Sequence, residues 1–351
     1  MLKSYFTNRK QYAVFGGCES AQFDISVGVP QGSILGPLFF LLYINDLSRC
    51  SDYLKFILFA DDTNIFASGK TKRALYKKVR GELAILSDWF ACNKLTLNYK
   101  KTEYIDFSKP VLGSSAHNFT LSIDGLRIRR VEHSKFLGVF IDKNLSWRVH
   151  IRGIIRRISQ TIGIIARARS FMGVPQLLSL YNTMVLPYLD YCLINWGNLA
   201  GDANLGLRDE ILGLQKSLVR IISSSPYLSH ADPLFADLGI LKIDDLYQQT
   251  IRVFAYKVFH GHMPSVMCSL FTKVGDLYSH RTRGASDGNF FIAGRNLRSV
   301  RYLVPSAWNS LDKNLKSSGS ISSFKNASKD RLLDVYAWFQ CLDIDCFSCC
   351  R

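Results

Sequence analysis

Tyr53-Leu-Lys-Phe-Ile-Leu-Phe59-Ala60-Asp61-Asp62-Thr-Asn-Ile65-Phe66-Ala67 places two short apolar runs on either side of two adjacent aspartates. The runs are rich in aromatic and branched side chains and are too short for helices, so they read as strands. The carboxylates then fall at the tip of a hairpin. Neighbouring carboxylates repel, and a bound cation relieves that repulsion. Mg²⁺ suits the role because it takes carboxylate oxygens and shares its shell with substrate phosphates. Taken alone, the stretch also reads as a polar turn, since Asp is a common turn residue.

Just upstream lies Gly28-Val-Pro30-Gln31-Gly32-Ser33-Ile34-Leu35-Gly36-Pro37-Leu38-Phe39-Phe40-Leu-Leu-Tyr-Ile44-Asn45-Asp46-Leu47. Gly28, Gly32 and Gly36 allow close backbone approach to a ligand or simply shape turns. A helix is expected after Gly32, with Ser33 as its N-cap and Pro37 in its first turn. With the Asp61-Asp62 stretch following within about twenty residues, this segment resembles the reverse transcriptases of LINE-like, non-LTR retrotransposons, in which GVPQGSxLGPxLFxxYINDL precedes an F/Y-A-D-D hairpin. The match is gapless and in the same order. The resemblance runs from Tyr5 to about Trp147 and continues more loosely to about Lys325.

That resemblance implies an α+β fold. Residues 1–145 would be the C-terminal part of a polymerase palm, residues 146–225 a helical thumb, and residues 226–351 an extension of unknown role. It implies nucleotidyl transfer by two metal ions, Mg²⁺ with Mn²⁺ as an alternative. Asp61 and Asp62 would be catalytic and metal-binding, with Asp61 the direct ligand. Gln31 and Gly32 would lie by the incoming nucleotide and the template. Partners would be an RNA template, a DNA primer and deoxynucleoside triphosphates.

In the family a third carboxylate comes from an upstream strand, in a motif resembling F-x-D-x-x-K-A-F-D. Asp24, in Gln22-Phe-Asp-Ile, has none of that pattern. Tyr5-Phe-Thr-Asn8-Arg9-Lys-Gln11-Tyr12 resembles the segment directly before GVPQGS, so Met1 is expected to fall inside a family domain. The expectation is a fragment, inactive alone, without the first catalytic strand and the fingers. Other readings are a nucleic-acid-binding remnant without catalysis and a gene product with no stable fold or role.

The remaining chain adds candidates. Tyr12–Phe15 and Phe23–Val27 read as strands around Gly16-Gly17. Leu75, Val79, Leu83, Leu86 and Phe90 have helical spacing, and Lys70, Lys72, Arg73, Lys77, Lys78 and Arg80 crowd the start of that helix as a solvated face. Leu95 to Glu103 resembles the family's L-x-x-N-x-x-K-T turn, which makes Lys101 a candidate general acid toward the leaving pyrophosphate. As a lone turn lysine it reads first as a surface residue. Leu121 to Ile128 reads as a hairpin with an Asp124-Gly125 turn. Lys135-Phe136-Leu137-Gly138-Val139-Phe140-Ile141-Asp142 resembles the family's primer grip, which holds the primer's 3′ end; Phe136, Leu137 and Gly138 are its candidate contacts. Residues 146–172 read as a helix that buries Trp147, Ile151, Ile155, Ile158, Ile162 and Ile165. Arg148, Arg152, Arg156 and Arg167 recur on an adjacent face and suit a run of phosphates. Further helices are expected over Leu177–Tyr191, broken by Pro187, over Leu207–Ile222, and over Ile243–Val258. Ser223-Ser-Ser225-Pro226 marks a boundary between them.

With 44 Lys and Arg against 28 Asp and Glu, the net charge of +16 favours a polyanionic partner. No apolar run reaches the roughly 18 residues of a membrane span, and no membrane partner is expected. Cys18, Cys50, Cys92, Cys192 and Cys268 are scattered, which argues for reduced thiols inside a cell. Cys341, Cys346, Cys349 and Cys350 crowd the end of the chain. Cys346 and Cys349 have zinc-ligand spacing, but no His or distant C-x-x-C completes a site, so zinc is not expected.

Overall fold

The computed structural model describes residues 5–25, 28–29, 32–108, 119–198, 204–277, 284, 287–292, 294 and 299–338. The C-terminal cysteines, and Pro30-Gln31, lie outside those residues. The fold is α+β: helices combined with small, mostly antiparallel two-stranded sheets. The chain divides into two compact units, Met1–Glu132 and His133–Arg351.

In the first unit, four short strands form two separate pairs. β1 (Lys10–Gln11) pairs with β4 (Phe23–Asp24), and β2 (Val14–Phe15) pairs with β3 (Cys18–Glu19). The expected strand over Tyr12–Phe15 is therefore shorter than its pattern suggests. Gly16 and Gly17, both with positive φ, make the inner turn. Helix α1 spans Gly36–Ile44. The expected N-cap at Ser33 is corrected: Leu35 occupies that position with no side-chain cap. Ser33 Oγ instead accepts from the Gly36 N–H at 2.9 Å, closing a turn one step before the helix. Pro37 sits in the first turn, where its missing N–H costs nothing.

β5 (Lys55–Phe59) and β6 (Asp62–Phe66) form the central hairpin. Helix α2 spans Lys72–Cys92 and starts with Thr71 Oγ1 accepting from the Ala74 N–H. Its apolar face buries Tyr76, Val79, Leu83 and Leu86 against Ile44, Leu47, Leu121, Ile123 and Ile128, with Phe56, Leu58 and Ile65 of the hairpin packed alongside. Part of the expected solvated basic face has structural partners. Lys72 Nζ pairs with Asp106 at 2.6 Å, Lys78 Nζ with Glu82 at 2.8 Å, and Arg80 donates from Nε and Nη2 to the Thr120 carbonyl. β7 (Glu103–Tyr104) pairs in parallel with β10 (Arg129–Arg130), and β8 (Ser122–Ile123) with β9 (Leu126–Arg127) across Asp124-Gly125. Both turn residues have positive φ, the conformation such a two-residue loop demands.

The second unit opens with β11 (His133–Phe136) and β12 (Val139–Asp142), an antiparallel hairpin. Helices follow: α3 (Arg148–Ala168), α4 (Val174–Met184), α5 (Leu186–Asp190), α6 (Leu193–Trp196), α7 (Leu205–Ile222), α8 (Ala231–Asp237) and α9 (Ile243–Phe259). Pro187 stands at the start of α5, the position that tolerates it. One apolar core takes in Ile151, Ile158 and Ile165 of α3, Ile211 and Leu218 of α7, Phe235, Ile251, Trp308 and Phe324. It continues on both sides of Ser223-Pro226. Among the described residues no helix is long and apolar enough to cross a membrane.

Candidate active site and nucleic-acid interface

Pairing of Phe59 with Asp62 leaves Ala60 and Asp61 as the two-residue tip of the central hairpin. Ala60 has φ 50°, a left-handed conformation that is uncommon for a residue with a Cβ. Such strained residues cluster at functional sites, where the surrounding structure holds them. Strand alternation explains the rest. Phe56 and Leu58 turn toward α2, while Ile57, Phe59 and Phe66 stay exposed. Asp61 and Asp62 are both exposed. Among the described residues, no hydrogen bond or ion pair engages either carboxylate.

Carboxylate oxygens are hard donors of the kind Mg²⁺ takes. As a donor set, Asp61 and Asp62 fit one such ion, which would supply charge stabilisation to a phosphoryl oxygen. They do not by themselves fit a two-ion clamp. Among the described residues, no group of three or more His, Cys, Asp or Glu side chains gathers as a metal site.

Lys101 stands in a turn built on Asn98, whose carbonyl accepts from the Lys101 N–H at 3.1 Å and the Thr102 N–H at 3.0 Å. The Asn98 side chain adds an acceptor to the Lys101 N–H at 3.3 Å. The Lys101 side chain is exposed and makes no ion pair with Asp61 or Asp62. Gly32 has φ 81°, and a Cβ there would meet nothing within 4 Å. Its glycine is needed for backbone conformation rather than for space. Gln31 lies outside the described residues.

In the second unit, Leu137 and Gly138 form the two-residue tip of the β11–β12 hairpin, with φ of 44° and 88°. Phe136 pairs with Val139 at its base. Asp142 ends β12 and organises the loop into α3. Its carboxylate accepts from the N–H groups of Asn144 at 3.0 Å, Ser146 at 3.1 Å and Trp147 at 2.8 Å, and from the Ser146 hydroxyl at 3.1 Å. Burial alone would raise the Asp142 carboxyl, but these donors outweigh it and hold the group below the usual carboxylate range. Arg148, Arg152, Arg156 and Arg167 are all exposed, on a face adjacent to the buried isoleucines of α3. Arg148, Arg152 and Arg156 repeat every fourth residue and so share one face of the helix.

Two residues that sequence reasoning left without a role stand out. Asp142 looked like the end of a strand, and its loop contacts were not foreseeable from spacing. Tyr191, in Pro187-Tyr-Leu-Asp-Tyr191, reads as part of a helical run. In the structure its hydroxyl donates to the Leu137 carbonyl at 2.6 Å.

Residues 1–141 match the family described as reverse transcriptase (RNA-dependent DNA polymerase). Over 286 residues the chain is 24% identical to the RNA-directed DNA polymerase from mobile element jockey of Drosophila funebris, covering 78% of this chain and 30% of that protein. It is 25% identical over 258 residues to the probable RNA-directed DNA polymerase from transposon X-element of Drosophila melanogaster, covering 70% of this chain and 27% of the relative. A third, from transposon BS of the same fly, is 26% identical over 255 residues, covering 70% of this chain and 28% of the relative. The chain is thus similar, over these residues, to reverse transcriptases of LINE-like, non-LTR retrotransposons. It spans less than a third of the length of these relatives. No solved structure matches.

Proposed function

We propose that these 351 residues are the downstream part of the polymerase of a non-LTR retrotransposon, able to hold a primer–template and to contribute half of a metal site, but not to polymerise alone. The observation that carries this reading is the exposed Asp61-Asp62 pair at the strained tip of β5–β6, whose carboxylates have no hydrogen-bond or ion-pair partner among the described residues. Residues 1–145 act as the C-terminal palm, residues 146–225 as the thumb and residues 226–351 as an extension. These are regions of role, and the apolar core of the second unit passes through the last boundary.

Asp61 and Asp62 would hold Mg²⁺, which when bound lowers the barrier to attack at a phosphoryl group. The chain's own residues do the rest. Gln31 and Gly32 border the nucleotide and the template. Lys101 donates a proton to the leaving pyrophosphate. Phe136, Leu137 and Gly138 hold the primer end, and the α3 arginines contact phosphates without reading sequence. A third carboxylate must come from another segment, and the exposed Ile57, Phe59 and Phe66 beside the aspartates are the surface on which such a strand would pack.

A second reading is a nucleic-acid-binding chain without catalysis, favoured by the lack of a third ligating side chain near Asp61 among the described residues. Template-directed incorporation of a nucleotide opposite an RNA template separates the two. Binding of the hybrid with no incorporation under any combination of fragments would leave only the second.

A further inference from the structure

We infer that Tyr191 is a positioning residue for the Phe136–Gly138 turn, holding it in the one conformation it can present to a primer end. The inference rests on the reading of that turn as the primer grip.

An isolated hairpin with strands of four residues is marginal in water. This one also places Leu137 at φ 44°, a conformation an L-residue leaves unless something holds it. Tyr191 supplies two restraints. Its hydroxyl donates to the Leu137 carbonyl at 2.6 Å. Its ring covers Gly138 so closely that a Cβ there would lie 3.2 Å from Tyr191 Cε1, a tight contact at a residue whose φ of 88° already favours glycine. Tyr191 is itself tied down. Its N–H donates to the Pro187 carbonyl at 3.1 Å, and its carbonyl accepts from Trp196 Nε1 at 2.9 Å. Trp196 is 1% exposed and belongs to the core of the second unit. A chain of contacts therefore runs from the core through the Tyr191 backbone to the hairpin tip. At the hairpin's other end, the Asp142 loop joins β12 to α3. The turn and the arginine-bearing helix are held as parts of one body.

Tyr191 is 52% exposed, so its hydroxyl contributes little to global stability and much to local order. Tyr191→Phe keeps the ring over Gly138 and removes the hydroxyl, with its hydrogen bond to the Leu137 carbonyl and its contact with the Cys192 thiol. In the full chain, this variant should melt as the wild type does, while amide exchange at Leu137–Val139 rises about fivefold, the equivalent of one ordinary hydrogen bond. Its affinity for a blunt RNA–DNA duplex should not change. Its preference for a primer–template with a recessed 3′ end over that duplex should fall by a similar factor, about fivefold. Tyr191→Ala, which also uncovers Gly138, should lose more of both.

Unchanged exchange at the turn in Tyr191→Phe overturns the inference. So does faster exchange with the end preference intact, because the turn's conformation would then not matter to the primer. A wild-type chain with no preference for the recessed end removes the primer-grip reading itself, and the inference with it. That failure is distinguishable from the other two because it shows in the wild type.

Discussion

The Asp142 carboxylate accepts a hydrogen bond from the Trp147 N–H at 2.8 Å, across the loop that carries β12 into α3. Three further donors converge on the same buried group. They fix the loop although Leu145 and Trp147 both adopt positive φ. The carboxylate thus joins the hairpin to the helix that bears the arginines.

The first prediction concerns that joint. Because the Asp142 carboxyl is held low, its contribution is fully present above the ordinary carboxylate value near 4 and is lost as pH falls through the depressed value. Asp142→Asn cannot accept the same set of donors. It should cost on the order of 2 kcal/mol at pH 7, lowering the melting temperature of the second unit by about 4–8 °C. The gap between wild type and variant should narrow below about pH 4. A gap independent of pH would assign the loss to packing rather than to the ionised carboxylate.

A second prediction tests close packing. A Cβ on Gly197 would lie 2.5 Å from Tyr247 Cδ2 and 2.6 Å from the Leu193 carbonyl oxygen. The backbone cannot yield cheaply, so Gly197→Ala should destabilise by about 2 kcal/mol. Gly213→Ala lies in the interior of α7 with nothing within 4 Å of the added atom. It should stabilise by about 0.5–1 kcal/mol. Chemical denaturation of the two variants checks the pair, and equal effects would be inconsistent with the packing described.

How much of this was legible beforehand differs from element to element. The β5–β6 hairpin and the buried face of α3 follow directly from strand alternation and helical periodicity, and Asp124-Gly125 announces its own turn. The start of α1 did not follow. Ser33 has the chemistry of an N-cap, but its hydroxyl serves a turn ahead of the helix, and sequence does not distinguish a cap from an adjoining turn. Lys72 and Arg80 looked like solvated cations because their partners, Asp106 and the Thr120 carbonyl, lie far along the chain. Tyr191 is 54 residues from Leu137, and no local pattern connects a tyrosine to a distant carbonyl. The adjacency of Asp61 and Asp62 was readable at once. Their exposure, and their lack of partners among the described residues, required the structure.

The third prediction concerns nucleic acid. Each neutralised phosphate adds about 0.9 to the slope of log affinity against log salt on a duplex. Replacing Arg148, Arg152 and Arg156 by Ala should flatten that slope by about 2–3. Affinity should fall alike for unrelated sequences, since phosphate contacts carry no base information. Measured by fluorescence anisotropy on a folded variant, an unchanged slope would move the binding surface away from α3.

The most direct measurement is primer extension on an RNA template with Mg²⁺, comparing the 351-residue chain alone with the chain mixed with an upstream fingers–palm fragment from a related element. The account predicts no extension by the chain alone, and extension in the mixture that disappears with Asp61→Ala in this chain. Extension by the chain alone, abolished by Asp61→Ala, would contradict the claim that Asp61 and Asp62 are only part of the site. Extension in the mixture that survives Asp61→Ala would contradict the claim that they are part of it at all.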